Sequence, residues 1–175
     1  MVVLVHQTNK TGYDQIIKDN FLFPSLITKE LRFGDIGEEI LFEDVYMQVL
    51  FDNMTFTEMY DYAFLFFEPK ILEKYTVKHW CPHWNFGHFD EKQCENYDTK
   101  KSYSENLKKW EQKQIEYFGN SKYTYWRTPN EVLFSEPISM NDCIAIYSPL
   151  KNAIDHPLLL NTKIKINKLI KSYKI

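Results

Sequence analysis

A chain of 175 residues, with 44% hydrophobic and 17% aromatic side chains and a formal net charge of −3, is long enough to bury roughly two-thirds of its unfolded surface in a single core. Its apolar content and interspersed charges exclude a disordered segment. No run approaches the ~18 apolar residues needed to span a bilayer, which excludes a helical membrane protein.

The charge is unevenly placed. Residues 161–175 hold five lysines (Lys163, Lys165, Lys168, Lys171 and Lys174) and no acid, so residues 1–160 carry −3 − 5 = −8. Five lysines interleaved with Ile and Leu read first as the solvated face of a terminal strand or helix following a single globular domain over 1–160, with phosphate contact as the alternative. Three cysteines, Cys81, Cys94 and Cys143, do not pair completely and give no disulfide framework. A reducing compartment is the default for such a chain. The start, Met1 to Thr8, lacks a basic leader. The expectation is a cytoplasmic protein, in its own cell or a host's, with no membrane partner.

In chain order, Val2 to Val5 reads as a short buried strand that delivers His6, Gln7 and Thr8 at its end. A loop from Asn9 to Gly12 follows, and Thr11 with Asp14 three residues later resembles a cap for a short helix through Ile16 and Lys18 that Asn20 stops. Gly34 and Gly37 mark a loop. The apolar segment from Ile40 to Phe51 contains strong strand material from Val45 to Phe51, with Tyr46 near its beginning, although a helix fits so apolar a run as well. Tyr62 to Phe67 predicts another buried strand, ended by Glu68 and Pro69, and Ile71 to Tyr75 is ambiguous.

The segment from His79 to Cys94 is the most polar-aromatic of the chain. On a strand, the period of two would bring His79, Cys81 and His83 to one face, with His88 or Cys94 as a fourth zinc ligand. Pro82 interrupts such a strand and the spacing matches no common zinc pattern, so an aromatic-rich ordered loop is the preferred reading and no metal is assigned. Ser102 to Glu105 is a capping box. Tyr103, Leu107, Trp110, Ile115 and Phe118 then recur at helical spacing until Gly119. Beyond it the sequence predicts an edge-like strand from Tyr123 to Arg127, a turn at Thr128 to Asn130, a strand from Val132 to Phe134 and another from Cys143 to Tyr147. The tail alternates well enough from Lys163 through Ile166 for one more strand.

No Gly-rich phosphate loop, Ser-centred nucleophile elbow, His-Glu-x-x-His pair or internal repeat occurs. Polar side chains at predicted strand ends are therefore the chemical options: His6 with Thr8, Tyr46, and Glu131 between Pro129 and Pro137. Taken singly, His6 is an ordinary strand-end histidine, Tyr46 a core residue and Glu131 a turn carboxylate. Their order and spacing together carry the weight.

Val3-Leu4-Val5-His6-Gln7-Thr8, Tyr46 in Asp44-Val45-Tyr46-Met47, and Pro129-Asn130-Glu131-Val132-Leu133-Phe134 followed by Pro137-Ile138 and Ile144-Ala145-Ile146 resemble the three motifs of the ADP-ribosyltransferase superfamily of the His-Tyr-Glu type. The third is similar to that of DarT-type DNA-modifying enzymes. Gln7 departs from the glycine common at its position. The resemblance implies a single-domain α+β fold, with a split mixed or antiparallel sheet and flanking helices. It also implies NAD as substrate and a protein or nucleic-acid acceptor for the ADP-ribose. His6 would hydrogen-bond the nicotinamide ribose, Thr8 would fix the strand end or the amide, Tyr46 would stack on the nicotinamide ring, and Glu131 would be the catalytic carboxylate. Trp126 or Phe33 would shape the pocket, and Arg127 would meet a phosphate or remain a surface residue.

The reading sets a geometric condition: His6, Tyr46 and Glu131 should converge on one cleft. Two other classes stay open. One is a non-enzymatic interaction protein that grips a partner through the aromatic surface between Trp80 and Phe89, and the other is a zinc-stabilised binding module built on His79, Cys81, His83 and Cys94.

Overall fold

A computed structural model of the chain describes residues 2–24, 32–33, 39–40, 44–51, 62–81, 94–118 and 131–147. The expected strand at 123–127, the turn after it, Trp126, Arg127, His83, His88 and the lysine-rich tail lie outside the described residues, as does the side chain of Phe33.

Runs of β-branched and aromatic residues become strands because their side chains fill a pleated surface well. The elements are β1 (Val3–Asn9), α1 (Lys10–Asp19), β2 (Phe21–Leu22), β3 (Arg32–Phe33), β4 (Glu39–Ile40), β5 (Val45–Leu50), β6 (Tyr62–Phe67), α2 (Ile71–Lys74), β7 (Val77–Cys81), β8 (Glu95–Asn96), α3 (Tyr103–Phe118), β9 (Glu131–Phe134), β10 (Ile138–Ser139), a 3-10 turn (Met140–Asp142) and β11 (Cys143–Tyr147). Seven strands form one sheet in the order β11-β6-β1-β5-β9-β7-β8, with β10-β2 and β3-β4 as separate ribbons. Every pairing among the described residues is antiparallel. The fold is thus α+β, with helices against an antiparallel sheet. The helical alternative for Val45 to Phe51 falls, because β5 is paired on both edges.

The most apolar strand is buried on both faces: Ala63 to Phe67 are all at most 3% exposed, which is why this run shows no alternation. Trp80 of β7 stacks on Trp110 of α3 with ring centroids 5.6 Å apart. Tyr97 tilts against the same indole. These contacts fix α3 to the sheet, on the stripe that its helical spacing marks.

Three of the helix ends are decided by polar side chains. The Asn9 side chain accepts a hydrogen bond from the Gly12 amide at 2.8 Å, so α1 starts at Lys10 and not after a loop ending at Gly12. Asparagine caps better than the Thr11 expected from the sequence, because its carboxamide oxygen reaches the third amide of the turn. Asn20 closes the helix in the left-handed region at φ 59°, a conformation asparagine tolerates. At α3 the expected box is formed: the Ser102 amide donates to Glu105 Oε2 at 2.9 Å and the Glu105 amide to Ser102 Oγ at 3.4 Å.

Asp142 ties the 3-10 turn to α2. It accepts from Lys74 Nζ at 2.7 Å and from the Tyr75 hydroxyl, while the Tyr75 oxygen accepts from the Ser139 amide. Burial alone would push the Asp142 carboxyl up, but hydrogen bonds from Lys74 and Tyr75 outweigh it and hold it below the ordinary carboxylate range. Among the described residues no helix is long and apolar enough to cross a membrane.

Two expectations follow from these contacts. Trp110→Ala should cost about 3–5 kcal/mol of unfolding free energy, because it empties a stacked, fully buried site. Asn9→Ala should cost only about 1 kcal/mol, and urea denaturation distinguishes the two. Asp142 has a lowered folded-state pKa, so its stabilisation is present above the unfolded carboxylate value and is lost as pH falls through the folded one. Asp142→Asn should therefore lower stability at neutral pH and flatten the acid limb of the stability curve, measured as urea midpoints down through the carboxylate range.

Candidate functional site

The central strand of the sheet is β5, and its two neighbours are β1 and β9. The three residues singled out from distant parts of the sequence, His6, Tyr46 and Glu131, therefore lie on three adjacent strands. Register fixes their relation. Gln48 is opposite Val5 on one side and opposite Glu131 on the other, and Tyr46 is opposite Leu133. Paired residues share a face and successive residues alternate. Tyr46, Gln48 and Glu131 accordingly lie on one face, with Glu131 one diagonal step from Tyr46. Cys81 is opposite Glu131 on β7 and extends the row.

This patch is polar where its surroundings are not. Along β5, Tyr46 and Gln48 are half-buried between buried Val45, Met47 and Val49. Glu131, also half-buried, opens a strand whose next three residues are buried. Half-buried polar side chains in the middle of an otherwise apolar sheet are the informative exception to burial.

The β1–β5 ladder stops after three register pairs, at Val5 and Gln48, while β1 continues on its other edge for six, from Leu4 to Asn9 against β6. Beyond Val5 no further β1–β5 register pair forms among the described residues. There His6, 6% exposed, reaches across: its Nδ1 lies 2.8 Å from the Tyr46 carbonyl oxygen. A carbonyl only accepts, so the Nδ1–H donates to it.

Tyr46 and Glu131 share a face, and His6 is joined to the Tyr46 backbone. By alternation, though, His6 and Thr8 belong to the opposite face, His6 opposite Leu65 and Thr8 opposite Ala63. Gln7, between them and half-buried, is the β1 residue on the face of Tyr46 and Glu131. The sequence marks Gln7 only as a departure from glycine, and Gln48 is not singled out there. The signal for Gln48 was there, a polar residue two positions after Tyr46 in an apolar run.

At the far end of β7 a separate surface cleft of about 430 Å³ is lined by Lys74, Tyr75, Val77, Tyr97 and Lys101 among others. It holds none of the predicted site residues. Lys74 is paired with Asp142 and Lys101 with Asp98, so its cations are already engaged.

One disulfide, Cys81–Cys94, joins the end of β7 to the residue before β8, and Cys143 is free. The expectation of no disulfide framework thus needs qualifying: the β7–β8 register, with His79 opposite Asn96 and Trp80 opposite Glu95, brings Cys94 opposite Cys81. That proximity depends on a register that sequence alone does not reveal. The disulfide also withdraws the support that unpaired cysteines lent to a reducing compartment.

The His6 bond is testable through stability. His6→Leu keeps the volume but removes the donor to the Tyr46 carbonyl, and leaving a buried acceptor unmet should cost about 1–3 kcal/mol. His6→Asn, which retains a donor, should cost less. Equal stability of His6→Leu and the unaltered protein would show that the bond does not hold this part of the sheet. Comparison of the chain with family models, curated proteins and solved structures finds no match, so the site rests on its own residues.

Proposed function

We propose that this chain is an ADP-ribosyltransferase-like enzyme, which cleaves NAD and passes ADP-ribose to a protein or nucleic-acid acceptor. The observation that supports the reading best is the shared face of Tyr46 and Glu131 on adjacent strands, beside the point where the β1–β5 register pairs end. NAD enters here as substrate.

The chemistry follows from the residue types. As the bond between nicotinamide nitrogen and ribose C1′ breaks, its electron pair leaves with nicotinamide, and positive charge develops on the ribose. The Glu131 carboxylate accepts a hydrogen bond from a ribose hydroxyl and stabilises that charge. An acceptor nucleophile or water then bonds to C1′ and gives up its proton, for which Glu131 is a suitable base. Tyr46 offers a ring face for the nicotinamide. The role of His6 changes from the one first expected. Bonded to the Tyr46 carbonyl, it holds the backbone that carries the stacking ring, and Gln7 is the β1 side chain on the substrate face.

Glu131→Gln should reduce ADP-ribosyl transfer or NAD hydrolysis by on the order of 10²–10³, with the melting temperature nearly unchanged. Labelled NAD incubated with a mixture of protein, single-stranded DNA and RNA reads out the acceptor directly. A Glu131→Gln variant of full activity would remove the assignment. Absence of any NAD-dependent thermal shift in the unaltered protein would favour a non-enzymatic interaction protein.

A further inference from the structure

We propose that His79, Cys81 and Cys94 form a redox-gated zinc site at the β7–β8 edge of the sheet. His79 and Cys81 alternate along β7 and so share a face. Cys94 stands opposite Cys81 in the antiparallel register that His79–Asn96 and Trp80–Glu95 define. The donor atoms of the three residues all lie within 4.8 Å of one another. Tetrahedral zinc with Zn–S near 2.3 Å and Zn–N near 2.0 Å needs donors roughly 3.8 Å apart or less, within reach of small side-chain rotations from this arrangement. One imidazole and two thiolates are a borderline-soft set that suits zinc over magnesium or calcium. Cys81 is buried and the other two are half-buried, which gives partial exclusion of water. Three protein ligands leave the fourth position to water.

The disulfide form and the zinc form exclude each other, since zinc binds thiolates. A dithiol reductant supplies two electrons and two protons, its own two sulfurs become a disulfide, and Cys81 and Cys94 become thiols. Zinc then displaces one proton from each thiol, giving two thiolate bonds and two released protons. The third cysteine does not compete: burial pushes the Cys143 thiol up to about 12, so it stays protonated and is a poor ligand.

The test uses the full chain and needs no activity assay, so its outcome is separate from that of the NAD reading. Protein reduced with a dithiol and desalted without oxygen is titrated with zinc against a chromophoric chelator, and with cobalt(II) to detect thiolate-to-metal charge transfer. One equivalent should bind to the reduced protein and none to the oxidised protein. Cys81→Ser and Cys94→Ser should lose thiolate-to-cobalt intensity and the tight equivalent. His79→Gln should weaken binding about tenfold or more, and Cys143→Ser should leave the stoichiometry unchanged. Reduced protein that takes up no zinc, oxidised protein that binds it equally, or a Cys81→Ser/Cys94→Ser double variant that retains it would each overturn the proposal. The comparison of oxidised and reduced native protein stands even if a variant fails to fold.

Discussion

The structure depends on how the edges of β5 are satisfied. A strand at the centre of a sheet must place every backbone amide and carbonyl in a ladder or find a substitute, because an unmet buried group costs about 1–3 kcal/mol. On its β9 edge, β5 is paired from Val45 to Gln48. On its β1 edge pairing ends at Gln48, and the Tyr46 carbonyl receives the His6 ring instead. A side chain thus takes over from the ladder at the point where these register pairs end. A side-chain hydrogen bond of this kind meets the Tyr46 carbonyl beyond the last β1–β5 register pair.

Buried apolar residues flank this point on both sides. Phe64 to Phe67 of β6 are buried on both faces and pair with Gln7 to Leu4 of β1, and the β1–β6 ladder runs on to Asn9. On the other side, Trp80 and Trp110 lock β7 to α3, and β7 in turn braces β9 beside Glu131. The polar row Gln48–Glu131 is therefore carried between two apolar supports. The backbone positions of Gln48 and Glu131 are thereby set by paired strands on both sides.

Much of the fold was legible because the strongest signals are local. The strands at Val45–Leu50, Tyr62–Phe67 and Cys143–Tyr147 and the helix Tyr103–Phe118 follow from runs of β-branched and aromatic residues or from helical spacing with a capping box. The start of α1 was misread because Thr11 and Asn9 are both cap residues, and only the folded geometry chooses between them. The two-residue strands β2, β8 and β10 carry no periodicity and exist only through their partners. The candidate site was legible as a set of strands but not as a set of faces. Whether His6 shares a face with Tyr46 depends on strand order and register, and a shift of one residue reverses the answer.

The same dependence on register explains why the disulfide and the carboxylate belong to one argument. Cys81 is the β7 residue opposite Glu131, and the cross-link to Cys94 closes a loop over a sequence separation of 13. Closure of such a loop removes about 3 kcal/mol of chain entropy from the unfolded state in the simple entropic treatment. The beneficiary is the sheet edge, where β8 contributes only Glu95 and Asn96 and short pairing alone gives little stability. Lys109 and Lys113 of α3 both reach Glu95, which draws the helix over the same edge. A cross-link at Cys81–Cys94 thus braces β7 at the position facing Glu131, so the geometry of the carboxylate rests on the chemistry of two cysteines that the sequence separates from it by 50 and 37 positions.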